Sequence, residues 1–292
     1  MTHATSSDGP RPLLCVVLAG GLKASPLQAA CPVSVLDLPL ASGVSVLSAL
    51  LHRVGEVATA LAQRVETIVV HGAPVPAPRD ADAPAGVALR VVEEARRWRG
   101  AAGVVRDAGE HAPPDADVLV LEGARWFGTS LAPLVEEHRR SGYGATVARL
   151  PDGAPAGAYV LARAALELVP ARGFMDLKEQ FLTRVVSTGG RVRVHALPAP
   201  GSVGLRTRAD LLWASRAAGG RPDGGSLVDS DAAVDPSAQV VDSVVMAGAQ
   251  IGEGAVLARS IALRGARVAA WSEVTDAVVG PSAIVDTRGM FG

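Results

Sequence analysis

The chain has 292 residues, a formal net charge of −1 at pH 7 and an isoelectric point near 6.6, and 49% of its residues are hydrophobic. This length predicts two domains, and 28 basic against 29 acidic residues argue against a nucleic-acid partner, since neutralising phosphates in bulk needs a basic excess. No apolar run approaches the roughly 20 residues that span a bilayer, and two cysteines cannot form a disulfide framework. We therefore expect a cytoplasmic protein with no membrane partner.

Residues 1–11 are polar and predict a disordered tail. From residue 12 to residue 221, buried-type apolar stretches alternate with stretches of helical periodicity. In chain order, the predicted elements are strand PLLCVVLAGG, helix VSVLSALLHRV, strands ETIVVHG and VALRVVEE, helix GAAGVVRDA, strand DVLVLEG, helix LAPLVEEHRRSG, strand GATVARL, a strand running into a helix in AGAYVLARAALELVP, helix FMDLKEQFLTRVVSTGG and strand RVRVHALP. This alternation predicts a mainly parallel, doubly wound (Rossmann-like) α/β domain.

Residues 227–287 follow a different period. Small residues recur four positions after an aliphatic one, and the aliphatic residues stand five or six positions apart: Val234, Val240, Val245, Ile251, Leu257, Leu263, Val268, Val274 and Val279. A hexapeptide repeat of this kind is typical of a left-handed parallel β-helix, and the segment is long enough for about three coils.

The chain lacks, at suitable places, the residues that two other enzyme classes need for their chemistry. An acyltransferase built on such coils needs a histidine in or beside them, and none of the six histidines lies in residues 227–287. A glycosyltransferase needs an Asp-x-Asp metal motif at the end of a strand. Here Asp115-Ala-Asp117 precedes its strand, and Asp229-Ser-Asp231 lies at the start of the coils.

Five short motifs occur in the order in which one enzyme family carries them. They are LAGG-LKA-SPL (18–27), GAAGV (100–104), LEGA (121–124), PAGAYV (155–160) and SVGL (202–205). With the hexapeptide tail, they make residues 12–287 resemble the sugar-1-phosphate nucleotidyltransferases, such as mannose-1-phosphate guanylyltransferases and glucose-1-phosphate pyrophosphorylases. In that family a sugar 1-phosphate attacks the α-phosphorus of a nucleoside triphosphate and pyrophosphate is released.

The charged groups of that family are missing at the matched positions. The resemblance places its two Mg²⁺-binding aspartates at Ala124 and Ser202 and its first phosphate-binding lysine at Val33, and the segment with the second lysine is absent. The resemblance therefore implies a degenerate family member with no catalytic residue, no metal site and no cofactor.

The charged side chains near these positions leave one alternative open. Glu122 lies two residues before Ala124, on the same strand face, and is the carboxylate that could reach a shifted Mg²⁺ in a rearranged but active nucleotidyltransferase. We interpret Glu122 as a strand-end carboxylate in solvent, and we interpret Lys178, Arg125 and Arg206 as surface residues.

The backbone groups of the nucleotide site are retained. The resemblance implies that a nucleotide or nucleotide sugar binds weakly at six residues, which are Ala19, Gly20, Gly21, Lys23, Gly100 and Gly103. The glycine turn offers N–H groups to phosphates, Lys23 adds one cation, and the later glycines leave room for a base. A packing role for these glycines is the alternative.

The predicted function is that of a nucleotidyltransferase-like pseudoenzyme of nucleotide-sugar metabolism, either a nucleotide binder or a regulatory or assembly partner. Aliphatic residues expected on the outer faces of the coils, such as Val244, Val245 and Ile261, and the open coil ends predict an oligomer through residues 227–287. The partner would be a second copy of the chain or an active family member.

Overall fold

The computed structural model describes residues 11–20, 24–31, 33–40, 44–72, 77–78, 82–220, 224–280 and 283–286. The predicted tail, residues 1–11, lies outside these ranges except for Arg11. The described residues form an α/β unit followed by a unit of short stacked strands.

The α/β unit is built on one large sheet. Its strands in chain order are β1 (Leu13–Leu18), β2 (Val65–His71), β3 (Val87–Glu93), β4 (Asp117–Glu122), β5 (Arg125–Phe127), β6 (Ala145–Arg149), β7 (Pro155–Ala162), β8 (Val192–Ala196) and β9 (Ser202–Gly204). Seven of them form a sheet in the order β3-β2-β1-β4-β7-β6-β8, in which β7 runs antiparallel to both neighbours. The predicted mainly parallel, doubly wound sheet is confirmed.

Helices cover both faces of this sheet. Their bounds are α1 (Pro26–Ala30), α2 (Val46–Ala60), α3 (Gly100–Ala108), α4 (Ala132–Ser141), α5 (Leu182–Ser187) and α6 (Arg208–Ala218), with 3-10 turns at Val35–Asp37 and Arg163–Leu168 and a π-helical turn at Leu177–Phe181. Alternate residues of β1 point to opposite faces, so Cys15 and Val17 pack towards α2, α4 and α6. Leu14 and Val16 pack towards α3 and α5. The continuous apolar run of β1 follows from burial on both faces.

The structure departs from the sequence predictions in three short places. The predicted helix after residue 162 is a 3-10 turn, and the predicted helix at 174–190 starts as a π-helical turn. The Asp176 carboxylate caps this turn by accepting the N–H groups of Lys178 and Glu179. Strands β5 and β9 pair with each other, and three residues each are too few to give a periodic signal.

The C-terminal unit consists of strands of two or three residues. They are β10 (Leu227–Val228), β11 (Ala233–Val234), β12 (Gln239–Val241), β13 (Val244–Val245), β14 (Gln250–Ile251), β15 (Val256–Ala258), β16 (Ile261–Ala262), β17 (Arg267–Val268), β18 (Glu273–Thr275), β19 (Val278–Val279) and β20 (Ile284–Val285). They stack in parallel as three sheets, β10-β13-β16-β19, β11-β14-β17-β20 and β12-β15-β18. This arrangement is the predicted parallel β-helix.

Each coil of the β-helix advances by 17 residues, as the hydrogen bonds between three successive serines show. The N–H of Ser243 donates to the hydroxyl of Ser226, and the N–H of Ser260 donates to the hydroxyl of Ser243, each 17 residues back. Two sides of each coil therefore take six residues and the third takes five. This division explains the five- and six-residue spacings, but Ala262 rather than the predicted Leu263 is the coil position in register with Val245 and Val279. Leu263 packs into the core that includes α2 and α6.

The β-helix packs against the α/β unit, and this contact overturns one sequence-based expectation. Val244 and Ile261 were expected on outer coil faces, but both are buried and belong to the same core as the residues of α2 and α6. Val245 is also buried, in the interior of the coils. The prediction of an oligomer through residues 227–287 loses these three side chains as its basis and stays a prediction.

Polar contacts add to this junction. From α6, the guanidinium of Arg208 donates to the Asp276 carboxylate at 2.8 Å and to the carbonyl oxygen of Arg259. The Arg259 side chain pairs with the same carboxylate, so Asp276 joins α6 to two successive coils.

Among the described residues, no helix combines the length and the apolar character that crossing a membrane requires.

The buried junction gives a testable prediction for Ile261→Ala. Removing a side chain that is fully buried between the two units leaves a cavity, and we expect the free energy of unfolding to fall by about 3 kcal/mol. Urea denaturation measures this loss. Ile284→Ala is the matched control because Ile284 is 68% exposed, and its loss should stay below about 1 kcal/mol. Equal losses in the two variants would contradict burial at the junction.

Candidate functional site

The sheet changes its winding direction between β1 and β4, and the candidate site lies at the carboxyl ends of these strands. Leu18 at the end of β1 stands opposite Glu122 at the end of β4. Just beyond them, the N–H of Gly123 donates to the carbonyl oxygen of Leu18 at 2.9 Å. Open α/β sheets bind ligands at such a switch point, outside the carboxyl ends of the strands.

A cleft of about 550 Å³ opens beside this point, between the ends of β1, β2 and β3 and the start of α3. Its volume lies in the range of small-molecule sites, roughly 300–1,000 Å³. Two exposed aromatic side chains line it, Trp98 (71% exposed) and Phe174 (47% exposed). Trp98 has a φ of 63°, in the left-handed region that is rare for bulky residues.

A buried arginine at the start of α3 holds the aromatic side of the cleft together. Arg99 is 2% exposed and forms two hydrogen bonds with Asp107, at 2.9 and 3.0 Å. It also donates to the carbonyl oxygens of Pro170 and Gly173, so the loop that carries Phe174 is fixed against α3. Arginine suits this role because its fixed fork of donors can satisfy several acceptors at once.

The predicted nucleotide-binding residues lie in different surroundings. Gly20 and Gly100 line the cleft, whereas the N–H of Ala19 is taken by the carbonyl oxygen of Val70. Gly103 lies against the side chain of Arg99, where a Cβ atom would stand 2.9 Å from the Arg99 Cβ. Two further predicted residues, Gly21 and Lys23, lie outside the described residues.

Packing alone already requires glycine at position 100. Gly100 has a φ of 68°, and a Cβ atom there would stand 2.5 Å from the carbonyl oxygen of Met175. Substitution of Gly100 would therefore disturb the fold whether or not a ligand binds. Nucleotide binding at these glycines stays a prediction.

Sequence reasoning missed Glu94, Trp98 and Phe174, which all line the cleft. Trp98 stands in the stretch RRWRG, which has no apolar period that would bury it. In a chain with 3% aromatic residues, a tryptophan among arginines is the signal that could have indicated an exposed binding residue.

A cluster of ion pairs fills the end of β4, next to the cleft. One Glu122 carboxylate oxygen accepts from Arg125 Nε and Nη2 at 3.2 and 3.1 Å, and the other lies 2.8 Å from Lys178 Nζ. Arg125 also donates to the hydroxyl of Ser202 at 3.0 Å, and Ser202 donates to the carbonyl oxygen of Ala156 at 2.7 Å. The carboxylate is thus bound by two cations.

Two expectations about these residues are wrong. Arg125 is not a surface residue, since it is 6% exposed at the start of β5 and donates to the hydroxyl of Ser202 on β9. Lys178 is exposed, as predicted, although the π-helical turn brings its amino group to 2.8 Å from a Glu122 carboxylate oxygen. Glu122 itself is 28% exposed and fully paired, rather than a strand-end carboxylate in solvent. Arg206 is exposed, as predicted.

Glycine at position 157 makes room for the buried guanidinium. Gly157 on β7 has a φ of 74°, and a Cβ atom there would overlap Arg125 Nε and stand 2.8 Å from a Glu122 oxygen. On the same strand face, the hydroxyl of Tyr159 is buried without a hydrogen-bond partner among the described residues.

The charges of this cluster shift one another's pKa values. Burial raises the pKa of Glu122, but the hydrogen bond from Lys178 and the charge of Arg125 outweigh burial, so this pKa lies below its ordinary value. Burial lowers the pKa of Lys178, and the bond to Glu122 outweighs that effect, so this pKa is raised. Burial, with the nearby Glu122 carboxylate, raises the pKa of Tyr159.

The residues at the end of β4 do not fit a Mg²⁺ ion. Magnesium prefers hard anionic oxygen ligands, whereas Ala124 has a methyl group and the Ser202 hydroxyl is engaged by Arg125 and Ala156. Glu122 is bound by two cations that would repel a third. Across the described ranges, no three His, Cys, Asp or Glu side chains lie together in a way that could hold a metal.

Comparisons with known proteins agree with this architecture. No protein-family model matches the sequence, and no curated protein matches it. Among solved structures, the fold is similar to a crystal structure from Bacillus anthracis, provisionally named a glucose-1-phosphate thymidylyltransferase, in complex with a sucrose. The match has 16% identity and a TM-score of 0.52, and it covers 72% of this chain and 96% of that chain. The chain therefore has a nucleotidyltransferase-type α/β fold, followed by a parallel β-helix.

The shifted pKa values predict how Glu122→Gln changes stability with pH. A lowered pKa means that ionised Glu122 stabilises the fold above its ordinary pKa of 4.5, and this contribution is lost as pH falls through the folded-state pKa. The raised pKa of Lys178 means that its contribution is complete below 10.5 and is lost as pH rises through the folded-state pKa.

We therefore expect the variant to be less stable than the wild type by a constant amount between about pH 5 and pH 10, and the difference to shrink outside this window. Urea denaturation across this pH range measures the difference. Glu110→Gln is the matched control because Glu110 is exposed and forms no ion pair with another described residue. A difference that is the same at pH 3 and pH 7 would contradict the ion-pair cluster.

Proposed function

We propose that this chain binds a nucleotide or nucleotide sugar in the cleft between β1–β3 and α3, and that it does not carry out metal-dependent nucleotidyl transfer. Its role would then be that of a regulatory or assembly partner in nucleotide-sugar metabolism. The observation that carries the proposal is the Glu122–Arg125–Lys178 cluster beside an open cleft with two exposed aromatic side chains.

The cleft supports nucleotide binding through the nature of its walls. Exposed aromatic faces bind bases by stacking, and one such contact contributes about 1–3 kcal/mol. At the switch point beside the cleft, Lys178 (43% exposed) and the exposed Arg206 place positive charge near the ends of β1 and β4. This arrangement suits a ligand with an aromatic base at one end and phosphate at the other.

The ion-pair cluster supports the absence of transfer chemistry. Nucleotidyl transfer depends on preorganised charge at the phosphates, and losing one such contact costs about 10²–10³ in rate. The carboxylates that would hold Mg²⁺ are replaced by Ala124 and Ser202, and the remaining carboxylate is neutralised internally. The structural neighbour, named for thymidylyl transfer to glucose 1-phosphate, supports the nucleotide-sugar class of ligand for this chain.

Isothermal titration calorimetry with nucleoside diphosphates and their sugar conjugates tests the proposal. We expect dissociation constants of about 10–1000 µM, or roughly −7 to −4 kcal/mol, that are the same with and without Mg²⁺. Trp98→Ala should weaken binding at least about 10-fold because the stacking face is lost. Trp271→Ala, which removes a 64% exposed tryptophan from the β-helix, is the matched control and should leave binding unchanged.

A parallel assay of pyrophosphate release covers the alternative function. We expect no release above background with any pair of nucleoside triphosphate and sugar 1-phosphate in the presence of Mg²⁺. Release that Glu122→Ala abolishes would overturn the proposal in favour of an active enzyme with rearranged residues. Absence of binding at millimolar ligand would overturn the binding role itself.

A further inference from the structure

One carboxylate of the cleft has no partner within the described part of the chain. Glu94 follows β3 and lines the cleft in a half-buried position, and neither a hydrogen bond nor an ion pair engages its oxygens there. One of these oxygens lies over Gly72 at the end of β2, 3.0 Å from where a Cβ atom would stand. The absence of a side chain at Gly72 thus leaves space for the carboxylate.

The other charged groups around this end of the cleft do not neutralise Glu94. Arg99 is saturated by Asp107 and two carbonyl oxygens, and Asp176 accepts two backbone N–H groups. Arg97 also lines the cleft but forms no ion pair with Glu94 or with the neighbouring Glu93. This end therefore carries three carboxylates, those of Glu93, Glu94 and Asp176, against the exposed cation of Arg97. The switch point beside the cleft carries the exposed cations of Lys178 and Arg206.

This polarity orients a nucleotide. Phosphates are repelled by the acidic end and attracted towards the exposed cations at the switch point beside the cleft, which puts the base at the end lined by Trp98 and Glu94. An ionised carboxylate only accepts hydrogen bonds, and two adjacent donors on the ligand can satisfy both of its oxygens. The base selected here is the one that presents two adjacent donors.

We infer that Glu94 makes the cleft selective for guanine nucleotides, by accepting hydrogen bonds from the N1–H and 2-amino groups of the base. Adenine and cytosine offer a single amino donor beside a ring acceptor, and uracil and thymine offer one N–H between two carbonyl oxygens. These acceptors face the carboxylate and leave it unpaired, which costs affinity. The inference rests on the proposed nucleotide binding and adds the identity of the base to it.

Calorimetric titration of the full chain with GDP, IDP, ADP and UDP tests the inference. IDP is the informative probe because its base keeps the N1–H group of guanine and lacks the amino group. We expect GDP to bind about 10- to 100-fold more tightly than ADP or UDP, with IDP in between. Glu94→Gln should remove most of the preference for GDP while ADP and UDP binding changes little.

Two further variants separate recognition from a general loss of structure. Gly72→Ala, which would displace the Glu94 carboxylate, should reduce the preference for GDP over IDP in the same direction. Glu110→Gln removes an exposed carboxylate outside the cleft and should retain the wild-type order of affinities.

The outcomes distinguish this inference from the proposed function. Binding of all four diphosphates with equal affinity, or an unchanged ratio of GDP to IDP affinity in Glu94→Gln, would overturn guanine selectivity and leave nucleotide binding in place. Failure of every diphosphate to bind at millimolar concentration would overturn both.

Discussion

The buried guanidinium of Arg125 is the interaction on which the centre of this structure depends. It joins the end of β4 to β9 through Glu122 and Ser202, and it requires glycine at position 157 on β7. Lys178 completes the charge balance and ties the π-helical turn to the same carboxylate. A buried charge is tolerated only when it is paired and hydrogen-bonded, so these elements depend on one another. The switch point of the sheet thus carries its own fixed cations.

Arginine performs a second structural task on the other side of the cleft. Arg99 holds the loop that carries Phe174 against α3, and Gly103 makes room for its side chain. Of the 28 basic residues, 26 are arginines, a type that keeps its charge when buried and presents five donors in a fixed geometry. The aromatic wall of the cleft and the neighbouring end of β4 are therefore positioned by polar networks, while the sheet beneath them is held by aliphatic packing.

The β-helix is part of the same folded body. Its coils of 17 residues repeat a five-residue side, and the first residues after that side, such as Val244 and Ile261, pack into the core beside α6. The aliphatic residues that were expected to mediate assembly are thus buried in contacts within the chain. Among the described coil residues, Val228, Val241, Trp271 and Ile284 are the large hydrophobic side chains that stay exposed.

The sequence by itself determined the order and type of the long elements, because an apolar period is a local property that burial on one or two faces imposes. The seven strands of the large sheet, the helices α2, α3 and α4 and the stacked coils could be predicted in this way. The family resemblance indicated the absence of carboxylates at Ala124 and Ser202. Only the tertiary structure decided which charges meet. Arg125 and Ser202 are 77 residues apart, and Lys178 reaches Glu122 from the π-helical turn. Gly72 and Glu94 meet at the cleft from the ends of β2 and β3. Such contacts depend on strand order and on the direction of each side chain, and neither leaves a periodic signal in the chain.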